Sequence, residues 1–89
     1  MRAVVTVIGK DTVGILTKVS GICTEYNANV IEVTQSVLQD LFAMMMLVDI
    51  SQMNTDFSKL ADEMEELGNK LGLSIHTMHE DIFNSMHKI

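Results

Sequence analysis

The fold of this chain depends on one stretch near its start, Ala3-Val4-Val5-Thr6-Val7-Ile8-Gly9-Lys10-Asp11-Thr12-Val13-Gly14-Ile15-Leu16. Its first six residues are small or β-branched, which is typical of a strand that is buried on both faces. Two glycines then bracket a polar turn in which Asp11 or Thr12 is the candidate N-cap of a helix. The stretch therefore predicts a strand, a tight turn and the start of a helix.

The next elements follow from the spacing of apolar residues. The predicted helix ends near residues 27–29, and its apolar positions recur at intervals of three and four: Ile15, Leu16, Val19, Ile22, Cys23 and Tyr26. Residues 30–38 alternate between apolar and polar, with Ile31, Val33 and Val37 on one face, which predicts a half-exposed strand. Residues 41–50 are again strand-like, and a hairpin joins them to the preceding strand.

The second half of the chain adds a helix and a strand. Residues 55–71 predict a second helix. Its apolar stripe consists of Phe57, Leu60, Ala61, Met64, Leu67 and Leu71. Residues 73–78 predict a last strand, and residues 81–88 a short terminal helix with Ile82, Phe83 and Met86 on one side. This order predicts an α+β fold, a ferredoxin-like βαββαβ sandwich with a four-stranded antiparallel sheet and two helices on one face. We expect a single domain over residues 1–89, with a core at 1–79 and a C-terminal helix at 80–89.

Composition narrows the classes of partner. The chain has 89 residues, of which 6 are Lys or Arg and 12 are Asp or Glu, so its net charge is −6. An acidic chain has no electrostatic attraction to nucleic acid or to anionic membranes, and neither is predicted as a partner. The single cysteine, Cys23, cannot form an internal disulfide, and no signal segment is recognised at the N-terminus. We therefore expect a cytoplasmic protein.

The two central strands of the predicted sheet are apolar on both faces. Val4 and Ile8 lie on one side of the first strand and Ala3, Val5 and Val7 on the other, and residues 42–48 repeat this pattern. If both helices cover one face of the sheet, the open face needs a second cover. We expect that cover to be a second subunit, the terminal helix or both, which predicts a homodimer. The alternative is an exposed apolar strip without a partner.

Several functions of this fold lack their residues here. An acylphosphatase needs an arginine just after the first strand, whereas the one arginine, Arg2, lies at its other end. A metallochaperone needs a Cys-x-x-Cys motif in the first loop, which holds no cysteine. An RNA-recognition domain needs stacking aromatic residues over a basic sheet, and the first strand has no aromatic residue.

The first loop and the residues after it carry a family resemblance. Gly9-Lys10-Asp11-x-x-Gly14-Ile15-Leu16, then Val19-Ser20 and Asn27-Ala28-Asn29-Val30-Ile31, resembles the signature of the ACT domain, a small regulatory module that commonly binds amino acids. Ser36-Val37-Leu38, Phe42, Met44 and the tail around Ile82 and Phe83 look like the stand-alone single-ACT-domain proteins. Those proteins are similar to the ACT modules of the glycine cleavage system transcriptional repressor.

The resemblance implies a ligand site at the first loop. It places Asp11, Thr12, Val13, Gly14 and Ile15 around the ligand, and matches Asn29 to a position that often contacts it, frequently across a subunit interface. Physical chemistry agrees, because a glycine turn that leads into a helix N-terminus offers N–H groups and partial positive charge to a carboxylate. The alternative is that Asp11 or Thr12 caps the helix and Gly14 only permits close packing.

No catalytic residue, metal site or cofactor is predicted. His76 and His79 lie three apart in an extended strand and so point in different directions, and His87 lies in the tail. Cys23 lies on the apolar stripe of the first helix, where burial favours an inert thiol. The sequence thus predicts a non-enzymatic module that senses an amino acid or similar carboxylate. The alternative is a structural or protein-interaction subunit without a ligand, which docks through its apolar sheet face or tail helix.

Overall fold

The structure, a computed structural model, describes residues 1–10 and 14–86. These residues form four strands and three helices in the predicted order. The elements are β1 (Arg2–Lys10), α1 (Ile15–Glu25), β2 (Asn29–Leu38), β3 (Leu41–Asp49), α2 (Phe57–Leu71), β4 (Ser74–His79) and α3 (Glu80–Met86). The predicted ferredoxin-like sandwich with a C-terminal helix is confirmed.

The strands form one antiparallel sheet in the order β2-β3-β1-β4. β1 and β3 are therefore the central strands, as their doubly apolar sequences predict. Val5 pairs with Met46 and Thr6 with Met45, which fixes the face that each side chain occupies. Residues opposite each other in an antiparallel pair share a face, and neighbours along a strand alternate.

One face of the sheet packs against α1 and α2 and forms the core. The buried side chains here are apolar: Ala3, Val5 and Val7 from β1, Met44, Met46 and Val48 from β3, Val19 and Cys23 from α1, and Leu60 and Met64 from α2. The Cys23 Sγ atom lies 4.0 Å from the Met46 Sδ atom. We call this the helix-covered face.

The opposite face, which we call the outer face, is only partly covered. α3 follows β4 directly and lies against β1 and β4 near the Arg2 end of the sheet. Val4 projects from this face, yet only 4% of it is exposed, whereas Ile8 at the other end of β1 is 50% exposed. The predicted cover of the open face by the terminal helix is thus present, over part of the face.

Two details differ from the predicted pattern. β2 contains a bulge at Ile31, because Val30 pairs with Val48 and Glu32 with Leu47. The extra residue shifts the alternation, so Val30 and Val33 pack on the core while Ile31 is exposed and does not share their face. Leu16, predicted in the apolar stripe of α1, is also exposed, because the buried stripe is narrower than the apolar one.

The second helix is held by a cap at its start and by close packing near its end. The Asp56 carboxylate accepts a hydrogen bond from the Lys59 N–H at 3.1 Å, which is a side-chain N-cap. The helix ends at Gly72, whose φ of +71° is a conformation that favours glycine. Gly68 lies so close to β4 that a Cβ atom there would be 2.7 Å from the Leu73 carbonyl oxygen. Glycine at this position therefore allows α2 to approach the sheet.

Candidate functional site

The junction between β1 and α1 is built around Gly14. This residue has a φ of +82°, is the N-cap of α1, and accepts a hydrogen bond from the Lys18 N–H at 3.0 Å through its carbonyl oxygen. The prediction of Asp11 or Thr12 as the N-cap is therefore corrected, because the helix begins three or more residues later. Asp11, Thr12 and Val13 themselves lie outside the described residues. Glycine suits this position, because a residue with a side chain rarely adopts a positive φ.

The first turn of α1 is suited to hold an anion. A helix leaves its first N–H groups without intrahelical acceptors and carries a partial positive charge at this end. The first turn contains no acidic residue, so no carboxylate of its own neutralises that charge. Lys10 ends β1 and Lys18 lies one turn into α1, which adds two cations on either side of the junction. Ile15 is buried in the core and anchors the turn.

Asn29 lies at the other end of α1 from Gly14. It begins β2, where it pairs with Asp49, at the end of the sheet that holds Arg2. Lys10, which precedes the loop, pairs with Leu41 at the opposite end. The 11 residues of α1 separate the two positions by about 16 Å along the helix axis. A single chain thus does not bring Asn29 to the turn at Gly14, and the implied ligand set comes together only if two chains share it.

A groove on the outer face was not predicted from the sequence. Its volume is about 590 Å³ and it lies between the sheet and α3, with Ile8, Met45, Met78, Phe83 and Met86 among its apolar walls and hydroxyl groups of Thr6 and Thr34 beside them. The volume is within the range of small-molecule sites. Alternation along β1 and β3 indicated which side chains lie here. The apolar side of the terminal helix indicated that it covers part of this face, but its path across the sheet depends on tertiary packing.

The histidines lie on separate faces, as strand alternation predicts. His76 lies on the outer face and lines the groove, whereas the His79 ring stacks on Phe57 of α2 with the ring centroids 4.0 Å apart. His87 lies outside the described residues. The stacking gives His79 a packing role at the end of β4.

Cys23 is enclosed by the core. It is fully buried, and desolvation raises the pKa of its thiol to about 11. A thiol with this pKa is almost entirely protonated near neutral pH. The predicted role of Cys23 as a small buried side chain agrees with this environment.

Family comparison assigns the chain to a class. The ACT domain model matches residues 2–78, which span the sheet and both covering helices. The chain belongs to the ACT domain family. Within the described residues, none of the helices is long and apolar enough to cross a membrane.

Relatives that match over nearly their whole length identify a narrower group within the ACT domain family. The chain is 46% identical to a UPF0237 protein of Methanopyrus kandleri, over 99% of this chain and 98% of the relative. It is 48% identical to a UPF0237 protein of Clostridium perfringens, over the whole length of both. Matches of this length and identity make the chain a member of the same group.

Solved structures support the same assignment. An ACT domain protein from Streptococcus pneumoniae superposes with a TM-score of 0.79 and 38% identity, over 93% of each chain. A glycine cleavage system transcriptional repressor superposes with a TM-score of 0.74 over 85% of this chain and 43% of its own, at 24% identity. The second likeness concerns the fold alone. The predicted resemblance to the ACT family, and to the ACT modules of that repressor, is confirmed.

Proposed function

We propose that this protein is a non-enzymatic regulatory module of the cytoplasm that binds an amino acid or a similar small carboxylate at the β1–α1 junction. One observation carries the proposal: the left-handed turn at Gly14 leads directly into a helix N-terminus that has no acidic residue in its first turn. Membership of the ACT family adds support, because ACT domains are commonly regulatory. The residues proposed to line the site are Asp11, Thr12, Val13, Gly14, Ile15 and Asn29.

The proposed site is shared by the two chains of a homodimer. Asn29 and Gly14 lie at opposite ends of α1 and β2. A two-fold axis beside the edge strand β2 reverses the direction of the partner's β2, and this brings the partner's Asn29 to the end where Gly14 lies. β2 is an edge strand of the sheet, so its outward backbone groups are available to pair with a second copy.

A site shared by two chains explains how ligand binding can regulate the arrangement of the dimer. A ligand changes the equilibrium between two arrangements only through a difference in its affinity for them. A carboxylate held by Gly14 of one chain and Asn29 of the other binds only when the two chains are correctly placed. Ligand binding and dimer geometry are therefore coupled, and the coupling is reciprocal.

The second candidate function is that of a protein-interaction subunit without a ligand. The observation in its favour is the apolar groove on the outer face, next to a helix whose Met86 is 66% exposed. Under this alternative the turn at Gly14 serves only to start α1. Removal of residues 81–89 would then abolish capture of the partner protein, whereas the ligand proposal expects amino acid binding to survive.

Calorimetric titration with each common amino acid tests the proposal. We expect at least one of them to bind, and Gly14→Ala to weaken that binding by about tenfold or more, because a side chain disfavours the φ of this turn. Gly21→Ala is the matched control, since Gly21 lies in the same helix with no atom within 4 Å of an added Cβ. Titrations that show no heat, with no rise in melting temperature at millimolar amino acid, would contradict the proposal.

A mixing experiment tests whether the site is shared. Chains carrying Gly14→Ala and chains carrying Asn29→Ala are each expected to bind poorly. After they are unfolded and refolded together, a mixed dimer has one site with both changes and one site with neither. Binding should return to about a quarter of the wild-type sites, because half of the dimers are mixed. If binding does not return, both residues act within one chain or Asn29 plays no part.

A further inference from the structure

Two exposed apolar side chains lie at the corner of the molecule where α1 begins. Leu16 is in the first turn of α1 and is 37% exposed, and Val37 lies near the end of the edge strand β2 and is 57% exposed. Neither side chain belongs to the buried core or lines the groove on the outer face. Small-molecule sites are lined mainly by apolar side chains, so these two bear on which ligand the β1–α1 junction selects.

Strand register places Val37 on the helix-covered face of the sheet. Val37 pairs with Phe42, which is buried in the core, and residues paired in this way share a face. Phe42 pairs in turn with Gly9 of β1, one residue before the end of that strand. Val37 is therefore on the same side of the sheet as α1, at the end where β1 leads into Gly14.

The contacts of α1 show which way Leu16 points. Tyr26 interacts with Glu63 of α2, and the Cys23 Sγ atom lies 4.0 Å from the Met46 Sδ atom on the central strand β3. With 3.6 residues per turn, Cys23 lies about 60° round the helix from Tyr26, and Leu16 lies about 20° further in the same direction. Since α2 packs on β4 at one edge of the sheet and β2 is the other edge, Leu16 points away from α2 and towards β2.

Leu16 and Val37 thus border one corner from two layers, the first from the helix and the second from the strand. The N–H groups that begin α1 lie at the same corner, and the proposed homodimer brings the partner's Asn29 there. A ligand whose carboxylate meets the first turn of α1 and whose ammonium group meets the partner's Asn29 has its side chain left to contact Leu16 and Val37. Such a contact favours an apolar side chain, because it removes apolar surface from water.

The charged residues around this corner do not offer a partner to a charged ligand side chain. One turn along α1 and two residues back along β2 lie Ser20 and Gln35, which are uncharged. Lys18 is about 160° round the helix from Ser20 and so projects from the other side of α1. Lys10 is on the outer side of the sheet by strand alternation. Asp40 lies in the exposed turn after β2, where water and salt screen its charge.

We propose that the β1–α1 junction selects amino acids with an aliphatic side chain, and that Leu16 and Val37 contact that side chain. The inference rests on the proposed function, because the same site holds the carboxylate of the ligand. Leu16 and Val37 are specificity-determining residues and take no part in holding the carboxylate. Leucine, isoleucine and valine are the expected ligands, and they bind more tightly than alanine, serine, aspartate or lysine.

Calorimetric titration of the full chain with matched pairs of amino acids tests the inference. Leucine and asparagine have side chains of similar shape, as do valine and threonine, so each pair compares an apolar side chain with a polar one. We expect leucine to bind about 10-fold more tightly than asparagine or alanine, because apolar contacts in a pocket give differences of this size. Valine should bind more tightly than threonine for the same reason.

Variants of the two positions test the assignment of the contacts. Leu16→Asn and Val37→Thr make each position polar while nearly preserving the shape of the side chain. Each should weaken leucine binding by about 10-fold and alanine binding by less than about twofold, because a methyl group is too short to reach either position. Ile82→Thr is the matched control, since Ile82 is 53% exposed and lies on α3, away from the site. Circular dichroism checks that all three variants retain the fold.

The outcomes distinguish this inference from the proposed function. Leucine binding that Leu16→Asn and Val37→Thr weaken, and that Ile82→Thr leaves unchanged, supports the inference. A polar or charged amino acid that binds more tightly than leucine overturns it and leaves the proposed function standing, as does a leucine-to-alanine affinity ratio that both variants leave unchanged. Absence of binding by every amino acid contradicts the proposed function and the inference with it.

Discussion

The two faces of the sheet differ in how they are buried, although strands β1 and β3 are apolar on both. On the helix-covered face, Val5 and Met46 have no exposed surface, and they pack under α1 and α2. On the outer face, Met45 is 44% exposed, and the one nearly closed position, Val4, lies under α3. Apolar side chains are therefore fully buried on the helix-covered face and remain partly exposed on the outer face.

This difference separates folding from assembly. The helix-covered face supplies the burial that a chain of this size needs to fold alone, because apolar area removed from water is the main favourable contribution. The outer face retains apolar side chains that one chain does not bury, and large exposed apolar patches are uncommon on monomers. Variants on the first face should alter the stability of the subunit, and variants on the second should alter association.

The largest effect is expected from a pair of adjacent methionines. Met46→Ala removes a fully buried side chain and should lower the free energy of unfolding by about 2–5 kcal/mol, measured by urea denaturation. Met45→Ala on the outer face should cost less than about 1 kcal/mol in the dissociated subunit, because much of that side chain is exposed to solvent.

Protein concentration provides the control for this pair. The Met45→Ala effect should grow with concentration if a second copy covers the outer face, since association stabilises the folded state by mass action. The Met46→Ala effect should not depend on concentration. Equal losses of unfolding free energy for both variants in the dissociated subunit would show that the two faces bury their side chains to the same extent.

The second expected effect concerns Cys23 on the helix-covered face. Burial raises the pKa of its thiol from 9.0 to about 11, and two pKa units lower the thiolate fraction near neutral pH by about 100-fold. Alkylation by iodoacetamide at pH 8 should therefore be at least ~100-fold slower in the native protein than in guanidinium chloride. A native rate close to the unfolded rate would mean that the core opens readily around α1.

Two glycines test how closely the helix layer approaches the sheet. Gly68→Ala should destabilise the subunit by about 1–3 kcal/mol, because the new Cβ atom would lie 2.7 Å from the Leu73 carbonyl oxygen and 3.1 Å from Ile75 Cγ1. Gly21→Ala in α1 meets nothing within 4 Å and should stabilise by about 0.5–1 kcal/mol through the higher helix propensity of alanine. Thermal denaturation measures both, and the same sign for the two variants would contradict the close approach at Gly68.

Much of this fold could be predicted from the sequence because its signals are local. Unbroken runs of apolar residues identified β1 and β3 as apolar on both faces, and three- and four-residue spacing identified the stripes of α1 and α2. The bulge at Ile31 could not be predicted, since it arises from pairing with β3 rather than from any residue in β2. The close approach at Gly68 also had no local signal, because it depends on where α2 meets β4.

The candidate site was less predictable than the fold. The glycine pattern identified Gly14 as the residue that forms the turn, but the choice of Gly14 as the N-cap depends on backbone conformation. The separation of Gly14 from Asn29 follows from the length of α1 and the start of β2, and it becomes meaningful only in a pair of chains. The outer-face groove depends on the position of α3, which residues distant in sequence determine.

The smallest expected effect concerns the contact that holds α3 to the sheet. The Arg2 Nη2 atom lies 2.6 Å from Glu80 Oε2, and Nε donates a hydrogen bond to Oε1 at 3.0 Å, so the pair is bidentate. The two side chains are 47% and 25% exposed, and solvent screening limits such a pair to about 0.2–1 kcal/mol. Arg2→Gln should lower the unfolding free energy by this amount at low ionic strength and by less at 1 M salt, measured by urea denaturation.

A Glu80→Gln variant should give the same loss and the double variant no further loss, because both remove one interaction. Additive losses would show that Arg2 and Glu80 do not stabilise the fold through one shared interaction.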